Sequence, residues 1–186
     1  VKQRMELSKK GGENCDILVM SATPIPRTLI MTFYGDMDVS KLTEKPSYRK
    51  EIISLSKPEI KINEVIKFIK KEITNKNQIF WVCPLIDESK KLDYEAAVKK
   101  FEYLNKIFTG RVGLIHGSLK NEEKEAVLKN FLYKKIQILV STTVIEVGID
   151  FPNANVIVIE NSNKFGLSQL HQLRGRVGRS NMQATC

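Results

Sequence analysis

The chain has 186 residues, with 30 Lys and Arg against 21 Asp and Glu, so its formal net charge is +9. This excess favours a polyanionic partner such as nucleic acid over an acidic protein, although a Lys-biased proteome would give the same composition. The 42% hydrophobic content is typical of a globular chain, and no apolar run is long enough to cross a membrane. Three widely spaced Cys and two His exclude a disulfide framework and a metal cluster, which favours a reducing interior.

The first predicted elements lie before residue 50. A short helix over 2–10 would be followed by a buried strand over 17–20, and Ser21, Ala22 and Thr23 come directly after that strand. Function collects at the carboxyl ends of strands in α/β sheets, but an ordinary helix cap explains these three residues equally well when they are read alone. The polar stretch that follows predicts a linker, with a domain boundary near residues 46–50.

Strands and helices alternate regularly from residue 51 onwards. Short apolar runs bounded by turn residues predict strands, and apolar residues at intervals of three and four predict amphipathic helices. The predicted strands are 51–55, 78–83, 111–115, 136–140 and 155–159, and the predicted helices are 58–73, 93–108 and segments from 121 and about 168. This order predicts an α/β fold with a parallel sheet and helices on both faces.

Polar residues follow several of the predicted strands. His116 and Gly117 follow one strand, Thr142 and Thr143 follow the next, and Asp150 comes after a glycine. Right-handed crossovers would place these groups, together with the arginine-rich stretch below, along one edge of the sheet. Hydroxyl and backbone N–H groups there suit phosphate oxygens, and a carboxylate suits a sugar hydroxyl. Each group alone is a weak signal, because a Thr pair after a strand is usually a cap.

The stretch 169–179 is the most specific feature of the sequence. It contains three of the seven Arg of a chain that elsewhere prefers Lys, and we call residues 174–179 the arginine segment. A guanidinium is a planar, permanently charged fork of donors that suits phosphate oxygens, and Gly175 and Gly178 leave room for close backbone approach. The alternative interpretation is a basic helix end that only faces solvent.

Together these motifs resemble superfamily 2 helicases. Residues 21–23, 142–150 and 169–179 are similar to motifs III, V and VI of that superfamily, and the segments 34–38 and 81–86 resemble its bacterial RecG family. Two alternatives remain at this point. The transcription-repair coupling factor shares the first and last of the motifs, and a non-catalytic nucleic-acid binding module would also account for the charge.

The resemblance implies a three-layer RecA-like fold, which is similar to P-loop NTPases. Residues 1–48 would be the tail of a first RecA-like domain with its linker, and residues 49–186 would be the second RecA-like domain. No Gly-x-x-x-x-Gly-Lys-Ser/Thr sequence occurs in the chain. The Walker A and B motifs would therefore lie in the rest of the first domain, and this chain alone is not expected to hydrolyse ATP.

The implied function is that of an ATP-dependent DNA helicase or translocase that remodels branched DNA and stalled replication forks in recombination and repair. The implied cofactors are ATP and Mg²⁺ in the full-length protein, with neither bound to this chain alone and no metal site on it. The implied partners are DNA, held by its backbone, and the first RecA-like domain and wedge domain of the same protein. The location would be the bacterial cytoplasm, with no membrane contact.

The resemblance also implies a role for each motif residue. Arg176 and Arg179 would contact the γ-phosphate, with Arg179 as the arginine finger that stabilises the charge of the transferred phosphoryl group. The other nucleotide-binding residues would be Gln172, Gly148 and Asp150. The DNA backbone would be held by His116, Gly117, Thr142 and Thr143. Coupling between nucleotide and DNA would use Ser21, Ala22 and Thr23, and Glu146 has no assigned role.

Overall fold

The computed structural model describes residues 46–84, 90–142 and 151–186, together with the single residues 18, 20, 40, 42 and 44. The chain divides into two compact units, Val1–Leu42 and Thr43–Cys186. The predicted helix over 2–10 and strand over 17–20 lie outside the continuously described ranges. The assignment of residues 1–48 and 49–186 to two motor domains stays a prediction. None of the helices in the described ranges is long and apolar enough to cross a membrane.

Among the described residues, a four-stranded parallel sheet forms the centre of the second unit. Its strands are β1 (Gln78–Val82), β2 (Val112–Ile115), β3 (Ile138–Ser141) and β4 (Ala154–Ile159), in the spatial order β2-β3-β1-β4. Every neighbouring pair is parallel. Thr185 forms a parallel bridge with Val156 of β4. Ile53 forms a second parallel bridge with Thr185. Within the described ranges, the predicted strand over 51–55 is therefore observed only as a bridge at Ile53, because a local β pattern does not specify the segment with which it pairs.

In the part of the chain that the structure describes, four helices pack on this sheet, two on each face. They are α1 (Ile62–Thr74), α2 (Lys90–Ile107), α3 (Asn121–Leu132) and α4 (Leu167–Arg174). Short 3₁₀ turns precede α1 at Glu59–Lys61 and α4 at Ser162–Lys164. The start of α3 is fixed by the Glu123 carboxylate, which accepts a hydrogen bond of 3.0 Å from the backbone N–H of Lys120.

The alternation of side chains along the strands separates two cores. Ile79 and Trp81 of β1 lie in the core under α1 and α2, whereas Phe80 and Val82 lie in the core under α3 and α4. All four side chains are almost fully buried. Burying an apolar side chain of this size stabilises the fold by about 1.5–3 kcal/mol. The predicted three-layer α/β fold with a parallel sheet is therefore confirmed.

Candidate nucleotide and nucleic-acid site

The four strands end in register at one edge of the sheet. The register pairs Ile115 with Ser141, Ser141 with Val82, and Val82 with Ile159. The residues that follow the strands therefore lie side by side, in the order His116, Thr142, Cys83 and Glu160. We call these four residues the carboxyl-edge row. The structure thus brings two of the predicted DNA-binding residues to the edge that their spacing predicted.

His116 is the most unusual group of this row. It is 9% exposed, packs edge-on against Tyr94 with 4.6 Å between ring centroids, and has no hydrogen-bond partner at its buried Nδ1 atom. Burial lowers the pKa of the imidazole, Lys124 lowers it further, and Glu123 opposes the shift. The side chain is therefore neutral at pH 7, and it could contact a phosphate as a hydrogen-bond donor but not as a cation.

Gly117 and Thr142 differ in how much surface they offer. Gly117 is exposed, no heavy atom lies within 4 Å of where a Cβ would stand, and its carbonyl accepts a hydrogen bond of 3.3 Å from the Lys124 ammonium. A bulky backbone phosphate has room beside it. Thr142 is 3% exposed, so its hydroxyl presents little surface at this edge.

The other half of the row is an ion-pair cluster that sequence reasoning missed. The Lys100 ammonium of α2 lies 2.6 Å from a Glu160 carboxylate oxygen and 5.4 Å from the centroid of the Trp81 ring. The Cys83 thiol donates to the same carboxylate at 3.6 Å. Burial, followed by the Glu160 charge, raises the pKa of the Cys83 thiol to about 12. The position of Glu160 directly after a strand was the available signal, and the cluster ties α2 to β1 and β4.

The arginine segment runs away from this edge. Helix α4 follows β4, and Leu173 and Val177 are buried in the core that it shares with α3. Beyond the helix, the Ser180 hydroxyl donates to Asn155 Oδ1 at 3.4 Å, near the amino end of β4. The expectation that the whole arginine segment shares the carboxyl edge is therefore wrong. The physical reason is that Thr185 pairs in parallel with β4, so the chain must first return to the amino end of the sheet.

The predicted nucleotide-binding side chains of this segment lie at the surface. Gln172 is exposed, and Arg176 and Arg179 are partly exposed on either side of the buried pair Val177 and Gly178. Within the described ranges, no hydrogen bond or ion pair engages the guanidinium of Arg176. The apolar pair anchors the segment, and the Arg176 guanidinium is available to an external phosphate.

Arg49, just after the predicted linker, holds the backbone of the arginine segment. Its Nε donates to the Gly178 carbonyl at 2.9 Å, and its Nη2 lies 3.4 Å from the Val177 carbonyl. Gly178 has a φ of +69°, a left-handed turn that glycine adopts at little cost. Sequence reasoning missed this contact, and the only signal was an isolated Arg next to the predicted linker.

Several predicted site residues lie outside the described ranges. They are Ser21, Ala22, Thr23, Thr143, Gly148 and Asp150, and their roles stay predictions. Among the residues that the structure does describe, no group of three or more His, Cys, Asp or Glu could hold a metal ion.

Known proteins share both the sequence and the fold. Residues 60–181 match the family described as helicase conserved C-terminal domain. The ATP-dependent DNA helicase RecG of Thermotoga maritima is 53% identical over 188 residues, which cover 100% of this chain and 24% of that protein. RecG of Bacillus subtilis is 47% identical over 188 residues, covering 100% of this chain and 27% of that protein. The chain thus spans about a quarter of the length of these curated relatives.

Two solved structures illustrate the structural similarity. A structure of RecG bound to a three-way DNA junction matches with a TM-score of 0.75 and 51% identity, over 92% of this chain and 22% of that one. A structure of S. cerevisiae Dbp5 bound to RNA and ADP BeF3 matches with a TM-score of 0.64 and 16% identity, over 99% of this chain and 47% of that one. The second match supports the fold alone.

Proposed function

Because the chain belongs to the family of helicase conserved C-terminal domains, we propose that it is the second motor domain of a RecG-like ATP-dependent DNA helicase. Residues 49–186 would form this domain, and residues 1–48 would be the end of the first RecA-like domain and the linker. The observation that carries the proposal is the surface position of Arg176, which has a buried anchor beside it and no internal partner within the described ranges.

The nucleotide role is assigned to the arginine segment. Arg176 and Arg179 would contact the γ-phosphate of ATP held by the first domain, Arg179 as the finger, and Gln172 would orient this contact. Gly148 and Asp150 would lie on the ribose side. Bound ATP supplies the phosphoryl group. A guanidinium placed beside the negatively charged oxygens of that group accelerates the transfer by roughly a thousandfold or more. Mg²⁺ would be held by the first domain.

The DNA role is assigned to the carboxyl edge. Gly117 offers an open backbone position there, and His116 a neutral ring beside the exposed Tyr94. Thr142 and Thr143 would complete the contact to the DNA backbone. Contacts of this kind grip phosphates and do not read bases, so we expect binding that depends on salt and hardly on sequence.

Helix α4 would connect the two roles. It begins after the carboxyl end of β4 and leads into the arginine segment, over eight residues or about 12 Å. Closing the cleft between the motor domains would bring the arginines to the phosphates, and opening it would release them. Because each domain would hold successive stretches of one DNA strand, every cycle would move the protein along the DNA. Residues 21–23 would couple this motion to the first domain.

Arg49 would be a positioning residue in this cycle. It stands next to the proposed linker, and its guanidinium donates to the carbonyls of Val177 and Gly178. Movement of the linker would therefore act directly on the backbone between Arg176 and Arg179. Its effect on hydrolysis would be indirect, through the placement of those two side chains.

The biological task is proposed from the similarity to RecG. The substrate would be branched or fork DNA, in recombination and repair in the bacterial cytoplasm. The first RecA-like domain and a wedge domain of the same protein would be the intramolecular partners.

The test uses the full-length protein with a three-way DNA junction. We expect the junction to stimulate ATP hydrolysis and to be unwound with ATP, whereas the 186-residue chain alone should not hydrolyse ATP. An Arg176→Ala variant should lose most of the stimulated hydrolysis. Salt-sensitive DNA binding without any effect of nucleotide would instead support a binding module, and capture of RNA polymerase without junction unwinding would support a coupling factor.

A further inference from the structure

A basic concavity lies at the opposite edge of the sheet from the carboxyl-edge row. It has a volume of about 520 Å³ and is lined by eight residues, none of which is acidic. Its four cations precede strands β1, β2 and β3, and they are Lys76, Arg111, Lys134 and Lys135. We call this concavity the amino-edge pocket. Within the described ranges, none of its four cations forms an ion pair.

Two of these lysines occupy positions where glycine would fit with less strain. Lys76 has a φ of 62° and Lys134 a φ of 60°, both in the left-handed region. In each case the residue follows a helix and closes it, because its N–H and that of the next residue donate back to carbonyls of the last turns of α1 and α3. Glycine is the usual residue at this position, and the turn that follows α2 does contain a glycine, Gly110, at a φ of 72°.

The dipole of the helix is the simplest structural explanation for these lysines. A cation near a helix C-terminus interacts favourably with the carbonyl ends of that helix. This explanation accounts for a positive charge anywhere in the last turn. It does not account for two strained lysines that line one concavity together with Arg111 and Lys135, without a carboxylate among the lining residues.

We propose that the amino-edge pocket binds phosphate groups, and that these belong to the backbone of a nucleic acid. Four cations are more than one phosphate needs, but a DNA strand presents one charge about every 3.4 Å along the duplex axis and could engage them together. The identity of the DNA rests on the proposed function. Because the pocket and the carboxyl-edge row lie at opposite edges of the sheet, the pocket would hold a second segment of the branched substrate.

The test replaces the strained lysines by glycine in the 186-residue chain. Lys76→Gly combined with Lys134→Gly removes two charges and relieves the left-handed strain at both sites. We expect the affinity for a labelled three-way DNA junction at low salt to fall about tenfold, with the slope of log Kd against log salt reduced by about 1–2. The midpoint of thermal unfolding should stay equal or rise, so that lost binding cannot be attributed to a damaged fold.

The matched control is Lys67→Ala combined with Lys99→Ala, because these are exposed helix lysines that do not line the pocket and form no ion pair within the described ranges. This control should change the affinity less than twofold. Binding by the glycine double variant within twofold of the parent, with an unchanged salt slope, would overturn the inference and leave the lysines a role at helix ends only. Inorganic phosphate is the other probe: if it stabilises the parent but not the glycine double variant while DNA binding is unchanged, the DNA assignment is wrong.

Failure of the proposed function would be seen separately. An unmodified full-length protein without junction-stimulated ATP hydrolysis contradicts the proposed function, whatever the lysine variants do. Normal stimulation combined with an unchanged glycine double variant contradicts only the assignment of the amino-edge pocket.

Discussion

The turn at Gly178 allows a quantitative test of how the arginine segment is held. In Gly178→Ala, the new Cβ would stand 3.0 Å from the Cβ of Ala184 and 3.4 Å from Cγ1 of Ile52. Ala184 cannot easily move away, because it is buried and its carbonyl accepts a hydrogen bond of 3.0 Å from the backbone N–H of Ile53. The substitution therefore combines backbone strain with overpacking.

The size of the effect follows from these two contributions. A left-handed conformation costs an alanine about 1–2 kcal/mol, and one extra methyl in a packed core costs about 1–3 kcal/mol. We expect the free energy of unfolding to fall by about 3 kcal/mol. For a domain of this size the midpoint of thermal unfolding should then fall by roughly 10 °C.

Two other glycines separate the contributions in the same calorimetric assay. Gly110 has a φ of +72° but no atom within 4 Å of its Cβ position, so Gly110→Ala should lose only the strain contribution of about 1–2 kcal/mol. Gly117 has neither feature, so Gly117→Ala should unfold within about 0.5 kcal/mol of the parent. Equal decreases in the unfolding midpoint for the Gly178 and Gly110 variants would refute the contribution of overpacking at Gly178. A Gly178 variant as stable as the Gly117 variant would also refute the contribution of left-handed backbone strain.

Three further predictions follow from single side chains. In the full-length protein, Arg49→Ala should lower the kcat of DNA-stimulated ATP hydrolysis about tenfold and leave the DNA Kd within twofold. Arg49→Lys should recover part of the lost kcat. Equal losses in kcat and in DNA affinity would contradict a positioning role. Because the pKa of His116 is lowered in the folded state, the unfolded chain binds more protons, and the free energy of unfolding measured in urea should fall as the pH drops through about 6.5. His116→Gln should flatten this pH dependence, and an unchanged slope in the variant would contradict the assignment to His116. The Cys83 thiol, with a pKa of about 12, should react with iodoacetamide at pH 8 more slowly than Cys186, as site-resolved mass spectrometry can show; faster labelling of Cys83 would contradict its burial.

The regular part of the fold could be predicted because it depends on local periodicity. The strand predicted over 78–83 was observed as Gln78–Val82, and the helix predicted over 58–73 was observed as Ile62–Thr74, preceded by the 3₁₀ turn Glu59–Lys61. The strand predicted over 51–55 was observed only as the bridge of Ile53 to Thr185, because its pairing depends on a segment that is distant in the sequence. A β pattern indicates that a segment can pair, but not how long its neighbour is.

The site was predictable where it depends on strand ends and unpredictable where it depends on distant contacts. His116 and Thr142 share an edge because parallel strands that end in register place their next residues side by side. The contact of Arg49 with Gly178 spans 129 residues and leaves no local pattern. The predicted position of the arginine segment was wrong for a related reason. The direction of the chain after its last helix is set by the strand that the chain joins.

The most direct measurement is single-turnover ATP hydrolysis by the full-length protein carrying Arg179→Ala, together with the affinity of the same protein for junction DNA. If the arginine segment completes the nucleotide site of the first domain, hydrolysis should slow by roughly a thousandfold while the DNA Kd stays within a few fold. Hydrolysis within a few fold of the parent rate would contradict the account.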